Sequence, residues 1–151
     1  MAQEYRQHSF KRPPGATEIL LVRHGESRAA SPDNPFPLVD GQGDPELHPN
    51  GWEQARRVGE RLKSEPIDAV YVTNLRRTQE TAQPLCEHLN IKPIVEPDLR
   101  EVHLGEWEGG LLRMKAAQED PIYHQMRIQQ RWDVIPGAEG WDAVNKRVSA
   151  G

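Results

Sequence analysis

Three short apolar runs separated by two amphipathic stretches constrain this chain more than any other feature. Residues 17–23 carry Ile19, Leu20, Leu21 and Val22 in succession, a continuous apolar run that suits a strand buried on both faces. Residues 67–73 form a second run, rich in β-branched side chains, and residues 91–95 a third. Between the first two, His48-Pro49-Asn50-Gly51 opens a helix, with proline suited to its first turn. Trp52, Ala55, Val58, Gly59 and Leu62 then recur at helical spacing, which predicts an inward face. Residues 74–90 form the second helix, with Leu75, Thr78, Ala82, Leu85, Cys86 and Leu89 near one face. Pro84 within it predicts a kink or an early end. The order strand, helix, strand, helix, strand predicts an α/β chain: a three-layer α/β/α sandwich with a mainly parallel sheet.

The remaining segments are less regular. Residues 1–16 read as a flexible amino-terminal arm and residues 17–151 as one domain, a size that a single core can serve. Residues 28–47 hold four prolines and two glycines, and read as a long loop with Phe36, Leu38 and Val39 as its apolar anchors or substrate contacts. Residues 99–110 read as a loop, residues 111–132 as helix broken near Asp120-Pro121, and residues 141–150 as a helix with Trp141, Val144 and Val148 on one face. The last helix has no evident cap, so the chain is expected to stop inside it.

Composition narrows the functional classes. No stretch approaches the roughly 20 apolar residues of a membrane span, and no apolar core of a secretory signal is visible in residues 1–15. Cys86 is the single cysteine, so no internal disulfide can form, and it reads as a small buried hydrophobe. These points favour a cytoplasmic protein. The net charge is −4. Arg56-Arg57 and Arg76-Arg77 do not amount to a basic tract, and no nucleic-acid-binding motif accompanies them. A phosphate-handling site on such a chain must be a local basic focus on an acidic body.

Arg23-His24-Gly25 supplies one. Ligands of open α/β sheets bind beyond the carboxyl ends of strands, and this tripeptide stands just after the first apolar run, as residues 73–77 stand just after the second. Phosphoryl transfer needs a held dianion, dispersal of its charge and an in-line nucleophile. An arginine fork matches phosphate oxygens. A neutral imidazole can attack phosphorus if an acceptor pins its other nitrogen. A glycine lets the backbone approach closely.

The whole string Leu21-Val22-Arg23-His24-Gly25-Glu26-Ser27 resembles the signature of the histidine phosphatase (phosphoglycerate mutase-like) superfamily nearly letter for letter. Two further segments agree in order. Residues 47–55 resemble the family's helix start, and residues 73–82 its segment with an arginine and a threonine-alanine pair, which aligns Arg77 rather than Arg76. Residues 99–109 resemble its leucine-x-glutamate segment, which aligns Glu101. The resemblance spans residues 18–141. It implies that His24 is the nucleophile, that Arg23, Gly25 and Arg77 bind phosphate, and that Glu101 is the general acid and base, a role suited to a carboxyl whose pKa partial burial has raised. Ser27, Arg28 and His103 are candidates for the substrate pocket, His103 reading more readily as an ordinary loop residue. Glu106 and Glu108 read as structural or exposed, with Glu108 a cap for the next helix. No cofactor and no metal are implied; His48, His88 and His124 read as surface residues. The implied partner is a small phosphorylated substrate, with no nucleic acid and no membrane, and a homodimer is compatible with the chain.

Two departures qualify the resemblance. The family's second histidine, in a Ser/Thr-His-Gly segment after a late strand, has no counterpart here. The chain therefore reads as an amino-terminal portion of such a domain, with an incomplete sheet that exposes apolar surface. It is expected to be weak or inactive alone. The tryptophan-asparagine pair that usually follows the histidine motif of cofactor-dependent mutases is also absent, Arg28-Ala29-Ala30 standing there instead. That favours hydrolysis over mutase-type phosphotransfer. A non-catalytic relative that binds a phosphorylated ligand or a partner is the third reading.

Overall fold

A computed structural model describes residues 3–5, 8 and 11–151, so the amino-terminal arm lies in part outside the described residues. The chain is α/β. The two helices between the apolar runs form where their signals stand: α1 over Pro49–Leu62 and α2 over Arg76–Leu89. His48 caps α1, its side chain accepting from the Asn50 N–H. Asn90, in the left-handed conformation that ends many helices, closes α2. The two helices pack on each other. Ala55 and Gly59 of α1 are buried, and Gly59 lies against Pro84 and Leu85 of α2. Pro84 does not end the helix.

The sheet departs most from expectation. A short antiparallel hairpin, β1 (Leu38–Val39) and β2 (Gln42–Gly43), occupies what reads as loop. Asp40 and Gly41 form its turn, both at positive φ (48° and 78°), as hairpins with an Asp-Gly turn require. The second and third apolar runs give β3 (Tyr71–Val72) and β4 (Ile94–Val95), which pair in parallel. The first run forms no strand. Residues 17–23 make no backbone ladder with any described residue. Ile19, Leu20, Leu21 and Val22 are 75%, 48%, 93% and 47% exposed instead of buried. The reason is the ladder itself: a buried strand needs partners for its N–H and C=O groups, and among the described residues β3 pairs only with β4. The mainly parallel sheet is thus reduced to one parallel pair.

The carboxyl-terminal half is a smaller helical layer. Helices α3 (Leu111–Ala117) and α4 (Pro121–Gln129) break where Asp120-Pro121 predicts, Asp120 capping α4 through the Ile122 N–H. Trp107, Met126 and Ile135 form a buried cluster beneath them. Helix α5 spans Trp141–Val148, with Ser149 at its carboxyl cap position. Its apolar face is not covered: Trp141 is exposed by 78% and Val148 by 42%.

Candidate active site

The segment after the first apolar run is wedged between α1 and α2. Gly25 is buried, and a Cβ on it would lie 2.6 Å from the Gly51 carbonyl oxygen at the start of α1, so no larger residue fits. The Gly25 N–H donates to Thr81 Oγ1 (3.0 Å), and the same hydroxyl donates to the Arg77 carbonyl (2.6 Å). The Glu26 N–H donates to Gln54, and its carbonyl accepts from the His48 N–H. The motif glycine is therefore required for the approach of loop to helix.

His24 sits half-buried on this loop. Its Nδ1 is 2.7 Å from the Gly25 carbonyl oxygen. A carbonyl only accepts, so Nδ1 carries the proton and Nε2 keeps a free lone pair. The imidazole's pKa is depressed, first by burial and then by the positive charges of Arg77 and Arg23, against the raising influence of the Gly25 bond and Glu101. Burial disfavours the imidazolium, so the neutral ring persists to lower pH than in an exposed histidine.

The arginines around it differ from others in the chain. Among the described residues, only Arg23, Arg77, Arg113 and Arg127 lack an ion-pair partner. Three of these four converge on His24 or on the cavity beside it. Arg23 is exposed and lines that cavity. Arg77 is buried at the start of α2, where free N–H groups also favour anions, and donates to the Gly43 carbonyl (2.9 Å). Burial pushes its pKa down, while the charge of Glu101 opposes that shift. Arg76, its neighbour, is a surface residue paired with Glu80 at 2.6 Å.

Glu101 lies within the electrostatic reach of both His24 and Arg77. It is exposed rather than partly buried, its carboxylate accepting from the Val102 N–H (3.0 Å). The segment bearing it is firmly held, because Gln42 Nε2 and Arg147 Nη2 both donate to the Glu101 carbonyl (2.7 and 3.1 Å).

The substrate-pocket candidates divide. Ser27 is buried, lines the cavity and accepts a 2.6 Å bond from Arg113 Nη2. Arg28 does not line it. Its guanidinium pairs with Glu46 and donates to the Asn34 and Pro35 carbonyls, so it ties down the loop. His103 does not line it either: Nδ1 accepts from the Gly105 N–H, and Nε2 donates to the Gly41 carbonyl. Glu108 does not cap α3; it accepts from the Gly43 and Leu104 N–H groups and joins the hairpin to the loop of residues 99–110. Phe36 is buried under Gly110 as an anchor.

The cavity beside His24 measures about 770 Å³. Arg23, His24, Glu26, Ser27, Gln54 and Arg113 give its polar lining, and Ala29, Ala30, Met114 and Ala117 its apolar lining. Arg113 is the functional candidate that sequence reasoning missed. It stands on α3, five residues beyond the last motif acid, Glu108, and nothing local distinguishes it from a solvated helix arginine.

A histidine with a free Nε2 and arginines without ion-pair partners thus stand together after the first apolar run of an α/β chain. The family model of the histidine phosphatase superfamily (branch 1) matches residues 19–151, and the chain belongs to that superfamily. It is 37% identical over 131 residues to a probable phosphoglycerate mutase of Serratia proteamaculans, covering 87% of this chain and 59% of that protein. It is 34% identical to a metal-independent phosphoserine phosphatase of Arabidopsis thaliana, covering 87% and 55%. Among solved structures, a mycobacterial glucosyl-3-phosphoglycerate phosphatase in complex with inorganic phosphate superposes with a TM-score of 0.64 at 28% identity, covering 84% of this chain and 56% of that one. The chain spans between 36% and 60% of the length of the curated relatives it matches.

Proposed function

We propose that this chain carries the nucleophile half of a phosphomonoester hydrolase that works through a phosphohistidine on a small phosphorylated metabolite. The observation that carries the reading is the bond from His24 Nδ1–H to the Gly25 carbonyl. It leaves Nε2 as the attacking atom, in a ring that burial and neighbouring arginines bias toward its neutral form. Arg23 and Arg77 are the forks that receive the equatorial oxygens, neither guanidinium being held in a direct ion pair beforehand. Nε2 attacks phosphorus, the ester oxygen leaves with a proton from Glu101, and Glu101 then takes a proton from the water that attacks the phosphohistidine. The relatives named as phosphatases support hydrolysis. The missing tryptophan-asparagine pair favours it over mutase-type transfer.

Losing one donor to an oxyanion-type charge costs about a hundredfold or more in rate. The family's second histidine is not in these residues, so these 151 residues alone are weak or inactive. The test is single-turnover labelling with a phosphorus-32 monoester on this chain and on a carboxyl-extended version. Acid-labile, base-stable label is expected on the extended protein, released to water and lost in His24→Ala. Label that persists in His24→Ala would refute the mechanism. Label discharged to a sugar acid and not to water would favour the mutase reading.

A further inference from the structure

The cation that the phosphate chemistry above does not use is Arg113. Its two terminal nitrogens donate to neutral acceptors, Nη1 to the Arg28 carbonyl (2.8 Å) and Nη2 to Ser27 Oγ (2.6 Å). Its planar face lies over the Phe36 ring, 5.3 Å from the centroid. The guanidinium is thus fixed in place by groups that do not neutralise it. It lines the cavity that His24, Arg23 and Glu26 also line. The charges of Arg23 and Arg77 bear on it unfavourably, and the one carboxylate whose field reaches it, Glu26, is itself exposed and bonded to Asn50. A third like charge beside two others is an electrostatic cost. An arrangement that holds it rigidly there suits a ligand with more negative charge than one phosphate.

Resting on the phosphate-site reading above, we infer that Arg113 is a specificity-determining residue. It selects phosphomonoesters that carry a second anionic group beyond the phosphate. The phosphate meets His24, Arg23 and Arg77; the second anion meets the remaining N–H groups of Arg113. The intervening carbons lie along Ala29, Ala30 and Met114, a shelf with no aromatic ring to stack on a base.

The test measures equilibrium binding to His24→Ala, which cannot turn over, by calorimetry. Four ligands are compared: inorganic phosphate, 2-hydroxyethyl phosphate, 2-phosphoglycolate and ethylene glycol bisphosphate. The second and third differ in a carboxylate for a hydroxymethyl group; the fourth separates a carboxylate from a second phosphate as the source of charge. The doubly anionic esters are expected to bind about ten- to hundredfold tighter than the hydroxyethyl ester, the range of one charge-assisted contact. Adding Arg113→Gln removes that ratio while the hydroxyethyl ester changes by no more than about twofold, and Arg113→Lys, which keeps the charge and loses the fork, keeps part of it. A common fall of all ligands in Arg113→Gln means that the residue only ties the loop, and overturns the inference. So does equal binding of all three esters before Arg113 is changed, a measurement that stands even if the Gln variant fails to fold. If inorganic phosphate itself does not bind, the phosphate-site reading fails first, and the specificity assigned to Arg113 falls with it.

Discussion

Arg147 meets Glu139 in a two-point pair, Nε to Oε1 at 2.7 Å and Nη2 to Oε2 at 2.8 Å, and spends its remaining N–H groups on the backbone that carries Glu101. Nη1 donates to the Asp98 and Arg100 carbonyls, Nη2 also to the Glu101 carbonyl. Glu139 in turn accepts from the His103 N–H. Both side chains are about one-sixth exposed. One arginine therefore fastens α5 to both ends of the segment that presents the acid.

Arg147→Met should cost about 2–3 kcal/mol of stability, below the full value of a deeply buried pair because water still reaches this one. Arg147→Lys should recover only part, since a point charge cannot serve the carboxylate and three carbonyls together. The pH dependence follows from Glu139. Bonding to Arg147 holds its carboxyl below the ordinary 4.5, and a depressed folded-state value means that the contribution is present in full above that pH. It is lost as pH falls below 4.5. Urea denaturation of wild type and Arg147→Met should show a gap that is constant at neutral pH and narrows in acid. A gap independent of pH would assign the stabilisation to the carbonyl bonds alone.

The imidazole of His24 should titrate below 6.5, the ordinary value from which burial and two arginines depress it. Carbon-13 or nitrogen-15 shifts of the labelled ring give the midpoint directly. The nucleophile then remains neutral in solutions acidic enough to charge an exposed histidine. Arg77→Gln removes one positive charge and should raise the midpoint, while Arg76→Gln, at a guanidinium already neutralised by Glu80, should leave it unchanged. An equal response to both substitutions would contradict the separation of roles between these neighbours.

Thr81 gives a third prediction. Its hydroxyl accepts from Gly25 and donates to the Arg77 carbonyl, so it couples the nucleophile loop to the first turn of α2. Thr81→Val keeps the shape and leaves the buried Gly25 N–H without its partner, at about 1–3 kcal/mol, while the Arg77 carbonyl keeps its helical bond. Gly25→Ala should cost a similar amount through its clash with Gly51, and should also displace His24. Thermal melts compare the two losses. Inorganic phosphate binding, weakened more by Gly25→Ala than by Thr81→Val, separates displacement of the loop from simple loss of stability.

What could be read from the sequence follows the range of each signal. The helices α1, α2 and α5 rest on periodicity and α4 on the Asp120-Pro121 break, signals contained within a dozen residues, and they form where expected. Arg23, His24, Arg77 and Glu101 sit in contiguous motifs, and the fields of Arg23, Arg77 and Glu101 all bear on His24. The run of residues 17–23 fails as a strand because a strand exists only with its ladder partner, which no local pattern supplies. The hairpin of residues 38–43 had a local signal, Asp40-Gly41, outweighed by the density of proline around it. Arg113 and Arg147 had none: each is one arginine on a helix, and only the packing of distant segments gives it acceptors.

The unpaired run also predicts how the chain behaves in solution. Ile19, Leu20, Leu21 and Val22 present apolar side chains together with backbone groups that pair with no described residue, the combination that templates pairing with another chain. Concentration-dependent association is therefore expected for the 151-residue chain, visible by sedimentation velocity in the micromolar range. Leu21 is the most exposed of the four, at 93%, so Leu21→Lys removes apolar surface and adds a charge without disturbing packing. It should suppress association while shifting stability by no more than about 0.5 kcal/mol. A chain that stays monomeric before the substitution, or associates as strongly after it, would place the sticky surface elsewhere, and the uncovered face of α5 around Trp141 would be the next to test.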